Sequence, residues 1–119
     1  MRIGVHADQM DAGKLAAYCR SIGIEDVCLS SSSVEGFREK GTLSVSALRA
    51  FKQSLSGMGV SVRAMIAPTP SKAALVGSPA SEEELERLCK TVEAMGEAEV
   101  DTALWYSFNS VLYRPPTLI

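Results

Sequence analysis

His6 and Asp8, the serine run Ser30–Ser33, Arg63, Lys72, Tyr106 and Asn109 are the residues whose types could do chemistry. An imidazole titrates near pH 6.5, so His6 can hold a carboxylate or move a proton. Its plainer role is a hydrogen-bonded histidine at a strand end. Arg63 can grip a carboxylate with two parallel N–H donors, or sit in a structural ion pair. Tyr106 and Asn109 can hydrogen-bond the hydroxyls of a polyol, although core packing also suits Tyr106. Lys72 reads as a solvated lysine. Cys28 would need a neighbouring base to lower its pKa before it could attack anything, and none is near in sequence. The serine run lacks the glycines and lysine of a phosphate loop, so it reads as a polar loop. The reading therefore assigns substrate binding to His6, Arg63, Tyr106 and Asn109. It names no catalytic residue and no metal ligand.

Those residues need a frame to bring them together. Residues 2–7 alternate apolar and other side chains, which predicts a first strand. Asp11 suits the cap of a helix with an apolar stripe of Leu15, Tyr18, Cys19 and Ile22, and Gly23 suits its left-handed stop. Residues 26–30 form a second strand, followed by a polar loop over 30–41. Ser44 can cap a second helix that buries Leu48, Phe51, Leu55 and Met58 and ends at Gly59. Residues 61–67 form a third strand. The prolines at 68, 70 and 79 keep the following loop irregular. Ser81 and Glu84 make a capping-box pattern for a third helix burying Leu85, Leu88, Cys89, Val92 and Met95. A fourth strand is expected over 102–108, with an irregular tail over 112–119.

Strand–helix alternation predicts an α/β protein with a parallel sheet. The junctions Gly23-Ile24, Gly59-Val60 and Glu99-Val100 form a weak internal repeat. Val27, Leu29, Val62, Ala64 and Ile66 should lie under the helices. His6, Cys28, Ser30, Arg63 and Met65 should lie on the other face. A doubly wound sheet covers both faces with helices and needs both apolar. One polar face favours a barrel, so the chain reads as a single domain over 1–119, the first half of a (β/α)₈ barrel with about four strands and three helices. Candidate chemistry then belongs at the carboxyl ends of the strands: His6 and Asp8, Ser30–Ser33, Pro68–Lys72 and Ser107–Asn109.

Composition bounds the function classes. The net charge of −2 and scattered basic residues argue against a nucleic-acid surface. Cys19, Cys28 and Cys89 form no C-x-x-C pair and read as reduced thiols in a cytoplasmic protein. No apolar run approaches the roughly 20 residues that span a bilayer, so no membrane partner is expected.

The opening MRIGVHADQMDAGKLAAYCRSIGIEDV resembles that of mannonate dehydratases, members of the xylose-isomerase-like barrel superfamily. APTPSKAALVGSPASEEELERLCKTVEAMG and TALWYSFNSVLYRP resemble the family's third loop with its helix and its fourth strand. The resemblance spans nearly the whole chain, and its weight lies in the order and spacing of motifs that are each moderately specific. It implies a metal-dependent lyase that dehydrates D-mannonate to 2-keto-3-deoxy-D-gluconate in hexuronate breakdown. It also implies a divalent metal such as manganese, held by His, Cys and Asp side chains on later strands of the barrel. No cofactor site is expected in this chain. The sequence departs from the family at His6, where an Arg is usual, at Ser107, where an Asn is usual, and at Glu99, which takes the place of a Gly.

Three functions follow as expectations. The first is the amino-terminal half of a mannonate-dehydratase-like lyase, inactive alone, which binds a sugar acid or other small polyol. A sugar isomerase or epimerase barrel is the nearest variant, because fold does not choose between them. The third is a non-catalytic half-barrel that closes its sheet with a second copy or with a missing second half-barrel. A receiver-type signalling domain is excluded because Ala67-Pro68 stands where an Asp would be needed.

Overall fold

The computed structural model describes residues 3–8 and 10–104. The elements run β1 (Gly4–Ala7), α1 (Ala12–Ile22), β2 (Asp26–Ser30), a 3-10 turn (Ser31–Ser33), α2 (Phe37–Lys40) and α3 (Val45–Gly57). They continue with β3 (Ser61–Ile66), α4 (Lys72–Leu75), a second 3-10 turn (Pro79–Ser81), α5 (Glu82–Glu97) and β4 (Ala103–Leu104). The expected fourth strand is described only over Ala103–Leu104. Tyr106, Asn109 and the tail 112–119 lie outside the described residues.

The strands pair in parallel in the order β1-β2-β3-β4. The order never reverses, so the sheet has no switch point of the doubly wound kind. α1 packs on α3 and α3 on α5, which makes one helix layer in the same order as the strands. The core lies between that layer and the sheet, around Leu15, Leu29, Leu48, Leu55, Met65 and Met95. Among the described residues no element covers the other face: His6 is exposed, and Cys28, Ser30, Ala64 and Ile66 are half-buried.

The third strand corrects the expected faces. Val27 pairs with Val62, but Cys28 pairs with Ala64, so Arg63 is an extra residue in a bulge. A bulge shifts the two-residue alternation by one position. Met65 therefore enters the core fully buried, while Ala64 and Ile66 join Cys28 and Ser30 on the uncovered face.

The caps explain where the helices stop. Asp11 accepts the Lys14 N–H at 2.8 Å, and Ser44 accepts the Ala47 N–H at 3.3 Å. All three long helices end in the same six-residue closure. The Ile24, Val60 and Val100 N–H groups reach back to the Cys19, Leu55 and Met95 carbonyls at 3.0, 2.9 and 2.9 Å. This is the Schellman closure, with a left-handed residue just before each donor. Those residues are Gly23 (φ 72°), Gly59 (φ 80°) and Glu99 (φ 60°). From α3, Arg49 and Lys52 donate to the Glu97, Ala98 and Glu99 carbonyls at the third closure.

Glu99 has a Cβ where the repeat favours glycine, and that conformation costs roughly 1 kcal/mol. Glu99→Gly is expected to stabilise the fold by about that amount, because Lys52 bonds the Glu99 backbone and not its side chain. A thermal midpoint about 4 °C higher checks this. An unchanged or lower midpoint contradicts it.

Three further expectations are corrected. Tyr18 and Ile22 are 44% and 45% exposed, since α1 buries only Leu15, Ala16 and Cys19. The α5 helix turns Thr91, Ala94 and Met95 inward and leaves Leu85 and Cys89 exposed. The capping box does not form. The Ser81 N–H is already held by the Ser78 carbonyl, and Glu84 is drawn away to Ser71.

Candidate functional site at the carboxyl ends of the strands

The first two strands deliver His6 and Cys28 to the uncovered face as register partners. Two residues further along the same faces stand Asp8 and Ser30. The 3-10 turn at Ser31–Ser33 then folds Ser32 back over the strand ends. Ser32 Oγ donates to Asp8 Oδ1 at 2.7 Å, and Ser30 Oγ lies 2.8 Å from Ser32 Oγ. Because Ser32 gives its proton to Asp8, the Ser30 hydroxyl is the donor to Ser32. A polar chain therefore runs Ser30 to Ser32 to Asp8 along the carboxyl rim. Beside it opens a hollow of about 520 Å³, lined by Met10, Asp11, Ser32, Ser33, Arg38 and Phe51 among others.

The serine run was expected to be a plain polar loop. It is instead built into the fold, with Ser31 buried and Ser32 bridging β1 and β2. The residue types alone did not single out Ser32. Only the turn after β2 brings it to an aspartate 24 positions away.

Burial pushes the Cys28 thiol above its usual pKa, as it does for Cys19. Cys28 is thus protonated at neutral pH and is a poor nucleophile, in line with a structural role.

Arg63 lies apart from this row. Its Nε donates to Asp26 Oδ1 at 2.9 Å, and Asp26 begins β2. Asp26 is four residues from Ser30, roughly 13 Å along a strand. The structure thus gathers Asp8, Ser30 and Ser32 at the carboxyl ends with His6 beside Cys28, while the Arg63 side chain turns back from the bulge to Asp26 at the start of β2.

The loop after β3 is tied to α5. Glu84 accepts the Ser71 N–H at 2.7 Å and the Ser71 hydroxyl at 2.6 Å. These bonds, the hydroxyl first, hold the Glu84 carboxyl below its usual pKa. Ser71 in turn caps α4 by accepting the Ala74 N–H. Lys72 follows it in α4 and is exposed, as a solvated lysine would be.

Among the described residues, no three His, Cys, Asp or Glu side chains are placed to hold a metal ion. The rim also offers no helix long and apolar enough to cross a membrane, nor does any other described part of the chain. What the geometry defines is an α/β protein with a four-stranded parallel sheet and a hydroxyl- and carboxylate-bearing rim. No family model, curated protein or solved structure matches the chain.

Proposed function

We propose that the chain is the substrate-binding half of a (β/α)₈ sugar-acid lyase barrel of the mannonate dehydratase kind. A polyhydroxylated acid would bind at the carboxyl ends of β1 and β2. The observation that carries this is the Ser30–Ser32–Asp8 chain beside His6 on a sheet face that no helix among the described residues covers. An ionised carboxylate accepts hydrogen bonds, and a serine hydroxyl both donates and accepts, which matches the mixed character of sugar hydroxyls. The adjoining hollow is within the usual range for small-molecule sites, roughly 300–1,000 Å³.

The described residues favour recognition of the substrate's hydroxyls over its carboxylate. Arg63, the cation expected to hold the carboxylate, is instead paired with Asp26 at the start of β2. On this rim His6 is exposed, and Arg38 lines the adjoining hollow, where a permanent cation can face a negative charge. The divalent metal that the family resemblance implies would be held outside the described residues, and no chemical step is assigned to them through it. A sugar isomerase or epimerase would use the same hydroxyl-reading rim.

Calorimetric titration of D-mannonate into the chain tests the reading. Weak binding is expected, and Asp8→Asn should lower affinity about tenfold or more, the effect of one charged hydrogen bond. The chain alone should dehydrate no mannonate, with or without added manganese. Binding that ignores Asp8→Asn, or turnover by the isolated chain, would contradict the proposal.

A further inference from the structure

The segment that follows β2 carries a second polar group besides Ser32. The Val34 N–H bonds the Ser31 carbonyl at 3.2 Å, and the Phe37 N–H bonds the Val34 carbonyl at 3.2 Å. Consecutive backbone bonds thus link the 3-10 turn to α2, and the buried Val34 pins that link to the core. Gly36 (φ 82°) and Gly41 (φ 70°) bracket α2 in the left-handed region, which sets where its four residues sit. Ser32 and Arg38 therefore belong to one braced segment, and both line the hollow of about 520 Å³. Arg38 is the one cation among the lining residues. Its guanidinium makes no hydrogen bond or ion pair among the described residues, whereas Lys14, Arg63, Arg87 and Lys90 are all paired. Three carboxylates share the lining. Asp11 is occupied by the Lys14 N–H and lies 3.8 Å from Lys14 Nζ. Glu35 and Glu39 stand on either side of Arg38 in the chain, exposed and unpaired among the described residues.

We propose, resting on the sugar-acid reading above, that Arg38 holds the carboxylate of the bound acid and that Glu35 and Glu39 limit the ligand to one carboxylate. A guanidinium is charged at every working pH, and its planar fork meets a carboxylate with two parallel bonds. The Ser30–Ser32–Asp8 chain takes hydroxyls at the strand ends. The ligand therefore lies with its polyol chain on the rim and its acid end in the hollow. A second carboxylate finds no cation left among the lining residues. The charges that remain there are negative, so it meets repulsion and keeps its desolvation cost. Sugar acids with one carboxylate are favoured over those with two. A neutral polyol binds on the rim without using Arg38.

Calorimetric titration with three probes tests it: D-mannonate, its neutral alcohol D-mannitol, and its diacid D-mannarate. The positions altered are exposed and none joins the core, so the variants keep the fold. Arg38→Met should weaken mannonate binding about fivefold or more, the worth of one solvent-reached ion pair, and leave mannitol binding unchanged. Arg38→Lys should recover only part of that loss, because it keeps the charge and gives up the fork. Mannarate should bind the unaltered chain more weakly than mannonate. Glu35→Gln with Glu39→Gln should tighten mannarate about threefold and mannonate by less. Mannonate binding that ignores Arg38→Met overturns the proposal, as does an equal loss for mannitol or a tighter fit for mannarate than for mannonate. Asp8→Asn separates this proposal from the reading beneath it. A loss with Asp8→Asn and none with Arg38→Met keeps the rim and overturns the role of Arg38. A loss with Arg38→Met and none with Asp8→Asn keeps Arg38 and overturns the rim. A chain that binds none of the three probes overturns both.

Discussion

Leu55→Ala is expected to destabilise the fold by about 2–5 kcal/mol. Leu55 is fully buried on α3, the helix packed between α1 and α5. Truncation removes its apolar contacts and leaves a cavity that a packed helix layer can only partly close. The backbone bonds from Met58 and Val60 to the Leu55 carbonyl remain, so the loss reports side-chain packing and not the helix closure. Domains of this size are stable by only about 5–15 kcal/mol, so this one residue decides a large share. Urea unfolding should show a lower midpoint with an unchanged slope. A loss below about 1 kcal/mol would place Leu55 outside the core, against the geometry.

Thr91→Val is expected to act in the opposite direction, stabilising the fold by about 1–3 kcal/mol. Thr91 is fully buried on the sheet-facing side of α5, and its Oγ1 has no hydrogen-bond partner among the described residues. A buried hydroxyl without a partner keeps its desolvation cost unrelieved. Valine has nearly the same shape and no such group. Thr91→Ser separates this cause from packing: it keeps the hydroxyl and removes a methyl, so it should destabilise. Thermal midpoints of the two variants on either side of the parent support the account. Two shifts of the same sign contradict it.

Much of the frame was legible because local chemistry dictated it. Asp11 and Ser44 had to be caps, since each precedes an apolar helical run and has an oxygen to offer the first turn. Gly23 and Gly59 marked left-handed stops, and the matching place of Glu99 marked a third. The parallel sheet followed from the alternation of strands and helices. What was not legible depended on partners distant in sequence. The bulge at Arg63 has no glycine or proline to announce it, and it moved Met65 from the open face to the core. The α5 helix carries two apolar stripes, and only the sheet beneath it selects Met95 with Ala94 over Leu85 with Cys89. Glu84 fitted a capping box locally, yet Ser71, 13 residues away, offers it two donors.

The site was legible in the same uneven way. His6 and Asp8 follow from a strand that alternates and ends at the rim. Ser32 follows from nothing local, because its role depends on an aspartate in another strand's loop. Arg63 had the right chemistry for a carboxylate, but its place in the fold pairs it with Asp26.

Chemical-shift mapping of the labelled chain with D-mannonate tests the central claim most directly. The account predicts saturable shifts at His6, Asp8, Ser30 and Ser32, with the Arg63–Asp26 pair unmoved. Shifts centred on Asp26 and Arg63, or none at any sugar-acid concentration, would contradict it.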